Sequence, residues 1–148
     1  MIVLGLMSGT SMDGLDCCLS NIEIDSEGKI SFKVLDYITY DYPESLKIII
    51  INTIKNNNTE NNNTDNILGK FFLEKTILFL ENRNIDLISS HGQTISHLNK
   101  SYSIQIGTPF FLSDYFKVPV IYDFRVNDIL NNGTGAPLVP YLDWILFK

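Results

Sequence analysis

The chain opens on an apolar run, Met1 to Met7 (MIVLGLM), that breaks into the small polar cluster Ser8-Gly9-Thr10-Ser11. A short run rich in β-formers and bounded by turn residues predicts a buried strand entering a tight turn. From Gly14 to Ile24, apolar Leu15, Cys17 and Leu19 alternate with more polar neighbours, the period-two pattern of a second strand. Ser26-Glu27-Gly28-Lys29 reads as a turn and Ile30 to Tyr40 as a third strand. Strands joined this closely predict an antiparallel meander.

The period then changes. Asp41 and Glu44 flank Pro43 as at a helix start, with Leu46, Ile49, Ile50 and Ile54 on one helical face. Asn56 to Asn63 holds six Asn in eight residues and reads as a polar loop. Thr64 can cap a second helix running to Glu81, with Ile67, Phe71 and Leu78 inward, joined by Phe72 and Phe79. Ile85 to Ser89, Tyr102 to Ile106 and Val118 to Tyr122 read as short strands. A helical turn or two from Thr108 to Tyr115 opens at Pro109, where proline's fixed φ suits a helix start. Pro140 to Lys148 predicts the start of a last helix, whose Trp144, Ile145, Leu146 and Phe147 have no following chain to pack against. The order β-β-β-α-α-β-β-α-β-α predicts an α/β fold whose mixed sheet begins with the meander.

Composition narrows the partners. In 148 residues, 45% are hydrophobic and 19% charged, which fits one packed domain. Eleven basic against seventeen acidic residues give a net charge of −6. Electrostatic capture of nucleic acid or of an anionic membrane is therefore not expected. No apolar run approaches the ~18 residues of a membrane span, no charged-then-apolar leader is present, and Cys17 and Cys18 are too close in sequence for an easy disulfide. A cytoplasmic location is expected.

Candidate chemistry gathers in three segments. In Ser8-Gly9-Thr10-Ser11-Met12-Asp13-Gly14-Leu15-Asp16, two glycines and three hydroxyls let backbone N–H groups converge on an anion, and Asp13 can hold a water on Mg²⁺. A plain hairpin turn would use the same residues, and no Gly-Lys-Ser/Thr follows to make a Walker loop. Ser90-His91-Gly92-Gln93-Thr94 follows a predicted strand, where α/β sheets bind ligands, and offers the donors and acceptors that sugar hydroxyls need. His91 and His97 lack a third ligand for zinc. Asp123-Phe124-Arg125, Asp128 and Gly133 to Pro140 form the third segment, in which Asp123 and Arg125 read either as ligand contacts or as an ion pair ordering a loop.

Taken in order, Gly5 to Asp16, Ser90 to Thr94, Gln105-Ile106-Gly107, Asp123-Phe124-Arg125, Asp128 and Gly133 to Pro140 resemble the motifs of the anhydro-N-acetylmuramic acid kinases. The resemblance implies an actin-like ATPase fold, as in sugar kinases, Hsp70 and actin, with residues 1–148 as its N-terminal lobe, apparently truncated before the second. It implies ATP and Mg²⁺ as cofactors in the phosphorylation of 1,6-anhydro-N-acetylmuramic acid, with water opening the anhydro ring to give N-acetylmuramic acid 6-phosphate in cytoplasmic peptidoglycan recycling. Gly9, Thr10, Ser11, Met12, Asp13, Gly14, Leu15 and Asp16 would form the first phosphate loop. Thr94 and Arg125 would contact the amino sugar, with His91, Gln93 and Asp123 shaping its pocket. The family's proposed catalytic base lies in a segment this sequence lacks, so the chain alone is expected to be inactive, its missing lobe coming from a separate chain if at all; a homodimer is compatible. Asn131-Asn132-Gly133-Thr134-Gly135 stands where the family usually has an Ala-Gly-Gly-type run. The alternative is a non-catalytic amino-sugar-binding module that senses cell-wall fragments.

Overall fold

Alternation along the first forty residues is realised as the expected meander. β1 (Ile2–Ser8), β2 (Gly14–Ile24) and β3 (Ile30–Asp41) pair antiparallel in sequence order. The computed structural model describes residues 1–56 and 62–147, so the Asn-rich loop expected from 56 to 63 lies largely outside the described residues. β4 (Leu87–Leu98) adds to β1 in parallel, and β5 (Tyr102–Ile106) returns antiparallel on β4, giving the order β3-β2-β1-β4-β5. β6 (Val120–Ile121) pairs β4 in parallel through Ile88 and Ser89. The sheet is mixed, with β1, β4 and β6 parallel at its centre.

α1 (Glu44–Lys55), α2 (Asn62–Leu80) and α3 (Phe110–Phe116) bury their apolar sides with Leu4, Leu6, Leu15, Cys17 and Leu19 of the sheet. α1 buries Leu46 and Ile50 as expected, with Ile49 and Ile54 only partly covered. On α2, Phe71, Phe72 and Phe79 are buried and Ile67 partly so, but Leu78 is exposed. The buried stripe runs through Leu68, Phe72, Thr76 and Phe79 because Gly69 brings α2 against the start of α3. A Cβ there would lie 2.7 Å from the Thr108 carbonyl oxygen. Thr64 sits inside α2 rather than capping it, and its hydroxyl meets that of Thr53 on α1 at 2.9 Å. Burial pushes the Cys17 thiol up to about 12, which makes it a core side chain rather than a nucleophile.

Two elements differ from expectation for a physical reason. The strand expected to stop at Ser89 runs on to Leu98, carrying Ser90 to Thr94 inside it. Polar residues suggested an end, yet the His91 and Gln93 side chains find partners on neighbouring segments, and Gly92 takes up the local distortion at φ +73°. The strand expected from 118 to 122 is only Val120–Ile121. α4 (Val126–Leu130) has no apolar periodicity long enough to announce it, whereas α5 (Val139–Leu146) forms near Pro140 as expected.

Phe72 is fully buried, and its ring lies where a Cβ on Gly107 would stand, at 2.5 Å. Phe72→Ala should cost about 3–5 kcal/mol in chemical denaturation. Leu78→Ala, on the exposed side, should change stability by no more than about 0.5 kcal/mol.

Candidate active site

Parallel strands in an α/β sheet end on the same side, and ligands bind beyond those carboxyl ends. β1 runs directly into residues 9–13, and β6 into Tyr122 and Asp123. β4 contributes Ser90 to Gln93 from its middle. The three segments singled out in the sequence thus meet at one end of the parallel core.

In the first segment, the Met12 amide donates to the Gly9 carbonyl at 3.2 Å, with Met12 in the left-handed region at φ 54°. The Ser11 hydroxyl at 2.7 Å and the Gly14 amide at 3.1 Å both donate to Asp13 Oδ1. The Ser11 hydrogen bond above all holds this exposed carboxyl below its ordinary range, so it is ionised at neutral pH. The amide hydrogens of Thr10 and Ser11 find no acceptor among the described residues. Gly14 is dictated by packing, since a Cβ would lie 2.3 Å from the Tyr40 carbonyl oxygen; at Gly9 the nearest atom is Ser11 Oγ at 3.4 Å. Leu15 points into the core, and Asp16 accepts from Thr39 at 2.6 Å and Tyr37 at 2.9 Å.

A cleft of about 370 Å³ opens across β4 from this turn, lined among others by Asp65, Ser90, His91, Gln105, Tyr122 and Asp123. Its origin lies in the pairing of β4, whose outer edge faces β6 at Ile88 and Ser89 and β5 only from Gln93 onward. Residues 90–92 lie in the fork between the two partners. Gly92 keeps the fork narrow at its base, where a Cβ would meet the Ile106 carbonyl oxygen at 2.9 Å. Ser90 Oγ, on a residue 2% exposed, and Gln105 Oε1 are buried without a hydrogen-bond partner among the described residues. Asp65, at the start of α2, accepts from the Gly107 amide at 2.7 Å. Neither Lys nor Arg lines the cleft, whereas two carboxylates do. Its lining offers acceptors to the hydroxyl and amide donors of a ligand.

Behind the cleft, His91 is locked by both ring nitrogens. Nε2 accepts from Arg125 Nη2 at 2.9 Å and Nε at 3.2 Å, so the proton sits on Nδ1, which donates to the Gly92 carbonyl at 2.8 Å. Desolvation first, then the Arg125 charge, depress the His91 pKa and keep the ring neutral. Arg125 Nη1 reaches the Gly135 carbonyl at 2.6 Å, and the Gly135 amide donates to Asp128 Oδ2 at 2.7 Å. The glycine-rich loop is thereby tied to β4. Asp123 and Arg125 form no ion pair with each other among the described residues.

The whole chain, residues 1–148, matches the family described as Anhydro-N-acetylmuramic acid kinase. The chain belongs to that family. It is 34% identical to the Anhydro-N-acetylmuramic acid kinase of Caldanaerobacter subterraneus subsp. tengcongensis, over 99% of this chain and 41% of that protein. Its counterparts in Clostridioides difficile and Pelagibacter ubique are 36% and 38% identical over 100% and 98% of this chain, and 42% and 41% of their own lengths. The chain therefore spans about two fifths of the curated relatives it matches. Among solved structures, the Thermus thermophilus RuvC structure covers 98% of this chain and 77% of its own at 11% identity and a TM-score of 0.43, too slight a likeness to assign a fold.

With the family in hand, the expected sugar contacts divide. His91 and Asp123 line the cleft, and Thr94 borders it by accepting from Gln105 Nε2 at 3.2 Å. Arg125 stands behind His91. Gln93 is fully buried and turned away, toward Ser8 and Gly9. Asp65, Ser103 and Tyr122 line the cleft without having been foreseen. Asp65 is distant in sequence from every motif; its hydrogen bond to Gly107 exists only once α2 has packed.

The depressed pKa of His91 carries a consequence for stability. As pH falls, the unfolded chain takes up this proton first, near the ordinary value of about 6.5. Stability from the neutral ring is complete above that pH and declines below it. Thermal unfolding between pH 7.5 and 5.5 should show a steeper fall for the parent chain than for His91→Gln; parallel profiles would mean that the ring is not buried neutral.

Proposed function

We propose that this chain supplies the amino-sugar cleft and the first nucleotide-phosphate turn of an anhydro-N-acetylmuramic acid kinase, built as the N-terminal lobe of an actin-like ATPase fold. The reaction is the phosphorylation of 1,6-anhydro-N-acetylmuramic acid with hydrolytic opening of its anhydro ring. The observation that carries this reading is Ser90 Oγ, buried and, among the described residues, unpartnered in a donor-accepting cleft across β4 from a turn whose Thr10 and Ser11 amides find no acceptor among those residues. A buried polar atom without a partner costs free energy in the empty protein, and a ligand hydroxyl removes that cost.

The division of labour follows from the side chains. Ser90, Gln105 and Asp123 hydrogen-bond the sugar, with Thr94 at the rim. His91 shapes the wall but cannot take a proton from water, because Arg125 occupies its Nε2 lone pair. Within the turn Gly9 to Asp13, phosphate oxygens are received through backbone N–H groups other than that of Met12, which closes the turn on Gly9. ATP supplies the transferable phosphoryl group, and Asp13, ionised and exposed, is the residue suited to hold Mg²⁺ through a water. Among the described residues no three acidic, His or Cys side chains gather as a metal cage, so Mg²⁺ coordination falls mainly to the phosphates and solvent. With no base assigned among these residues, this chain by itself binds ligands and does not turn them over.

Calorimetric titration with 1,6-anhydro-N-acetylmuramic acid, with and without ATP·Mg²⁺, tests the reading. Saturable sugar binding is expected, and Ser90→Ala should weaken it by about 0.5–1.5 kcal/mol. The same substitution should leave thermal stability unchanged or slightly raised, since the hydroxyl has no partner to lose. Unchanged sugar affinity in Ser90→Ala would remove the cleft from the site. Gly9→Ala fits the fold without collision and should keep the parent stability while weakening nucleotide binding. Sugar binding indifferent to nucleotide would favour a sensing module over a kinase half-site.

A further inference from the structure

Gln93 is fully buried, and its amide is already in use. Nε2 donates to the Gly9 carbonyl at 2.9 Å and to the Thr94 carbonyl at 3.2 Å, while Oε1 accepts from the Ser8 hydroxyl at 2.5 Å. Ser8 has one hydroxyl hydrogen, spent on Gln93, so the buried Tyr42 hydroxyl is the donor in its own 2.5 Å contact with Ser8 Oγ. The Tyr42 amide in turn donates to the Asp13 carbonyl at 2.9 Å. The ring closes: Gln93 holds the first residue of the turn, Tyr42 holds the last, and both meet on Ser8.

The placement depends on one register shift. Leu6 pairs with Ser90, but Ser8 pairs with Gln93, so β4 carries one residue more than β1 across this interval. Regular pairing would set Gly92 opposite Ser8 and turn Gln93 to the other face of the sheet. Gly92, at φ +73°, absorbs the extra residue and aims Gln93 at the turn.

We infer that Gln93 is the positioning residue that fixes turn 9–13 against the cleft strand, not a sugar contact. The cleft residues Ser90 and His91 and the anchor of the turn therefore share one short stretch of backbone. The functional consequence rests on the reading of the turn as the nucleotide-phosphate site; the positioning itself does not.

Hydrogen exchange measured on the 148-residue chain, without ligand, tests the positioning. The Met12 and Tyr42 amides close the turn, and in Gln93→Leu both should lose protection by about tenfold while β5 amides keep theirs. Gln93→Glu separates a hydrogen-bonding role from simple filling of space. Its protonated carboxyl can donate to the Gly9 carbonyl and accept from Ser8, whereas the ionised form sets an oxygen against that carbonyl. Protection at Met12 and Tyr42 should therefore fall as pH rises through this carboxyl's own titration, a step absent from the parent and from Gln93→Leu. Asp13, His91 and Tyr42, the titratable neighbours, are common to all three proteins. Unchanged protection in Gln93→Leu overturns the inference. If that variant unfolds, absence of the pH step in Gln93→Glu overturns it instead. In the companion titrations, Gln93→Leu should weaken ATP·Mg²⁺ by about tenfold and the sugar by less than about twofold. Selective loss of sugar affinity with the turn intact would return Gln93 to the cleft. A parent chain that binds no nucleotide would sink the phosphate reading while the exchange result still decides the role of Gln93.

Discussion

The hydrogen bond between Gln93 and the Ser8 hydroxyl, made in a place where neither group sees water, is the constraint on which the site depends. A buried amide and a buried hydroxyl each carry a large desolvation cost, so the strands must settle in a register that lets them meet. That register requires an extra residue in β4, and the extra residue requires a backbone able to enter the left-handed region. Gly92 meets that need, and its missing side chain also lets β5 close on β4. Loop position, strand register and cleft shape are thereby consequences of one small polar cluster.

The cleft follows from the same strand. β4 is long enough to take two partners on one edge, β6 early and β5 late, and the gap between them is the fork that Ser90, His91 and Gly92 occupy. Around the gap the protein spends its charged groups unevenly. Carboxylates face the opening, while the guanidinium of Arg125 is withdrawn behind His91 and used to tether the glycine-rich loop. Such an arrangement presents acceptors at the opening and keeps cationic charge one layer back, where it fixes the His91 tautomer and adds to the desolvation that depresses its pKa.

Much of this was legible in the chain itself. The meander, α1, α2 and the last helix follow from periodicity and turn residues, because they are governed by local preference and by which face must be buried. The three motif segments also stood out as small and polar residues clustered between apolar runs, although a plain turn or a loop-ordering ion pair uses the same residue types. Legibility ended where a polar residue has two possible fates. Ser90, Gln93 and Thr94 look alike in sequence, yet the first faces the cleft, the second the turn and the third the rim.

The division is physical. Sequence by itself determined most of the elements and the family, because hydrophobic period and glycine placement act over a few neighbouring residues. Tertiary structure alone decided the extent of β4, the entry of Asp65 into the cleft, the exposure of Leu78 and the direction of Gln93. Each of these depends on groups that are distant along the chain: Gly107 for Asp65, Gly69 against Thr108 for the face of α2, Ser8 for Gln93. Burial makes such partners compulsory, but only the packed fold says which partner is within reach.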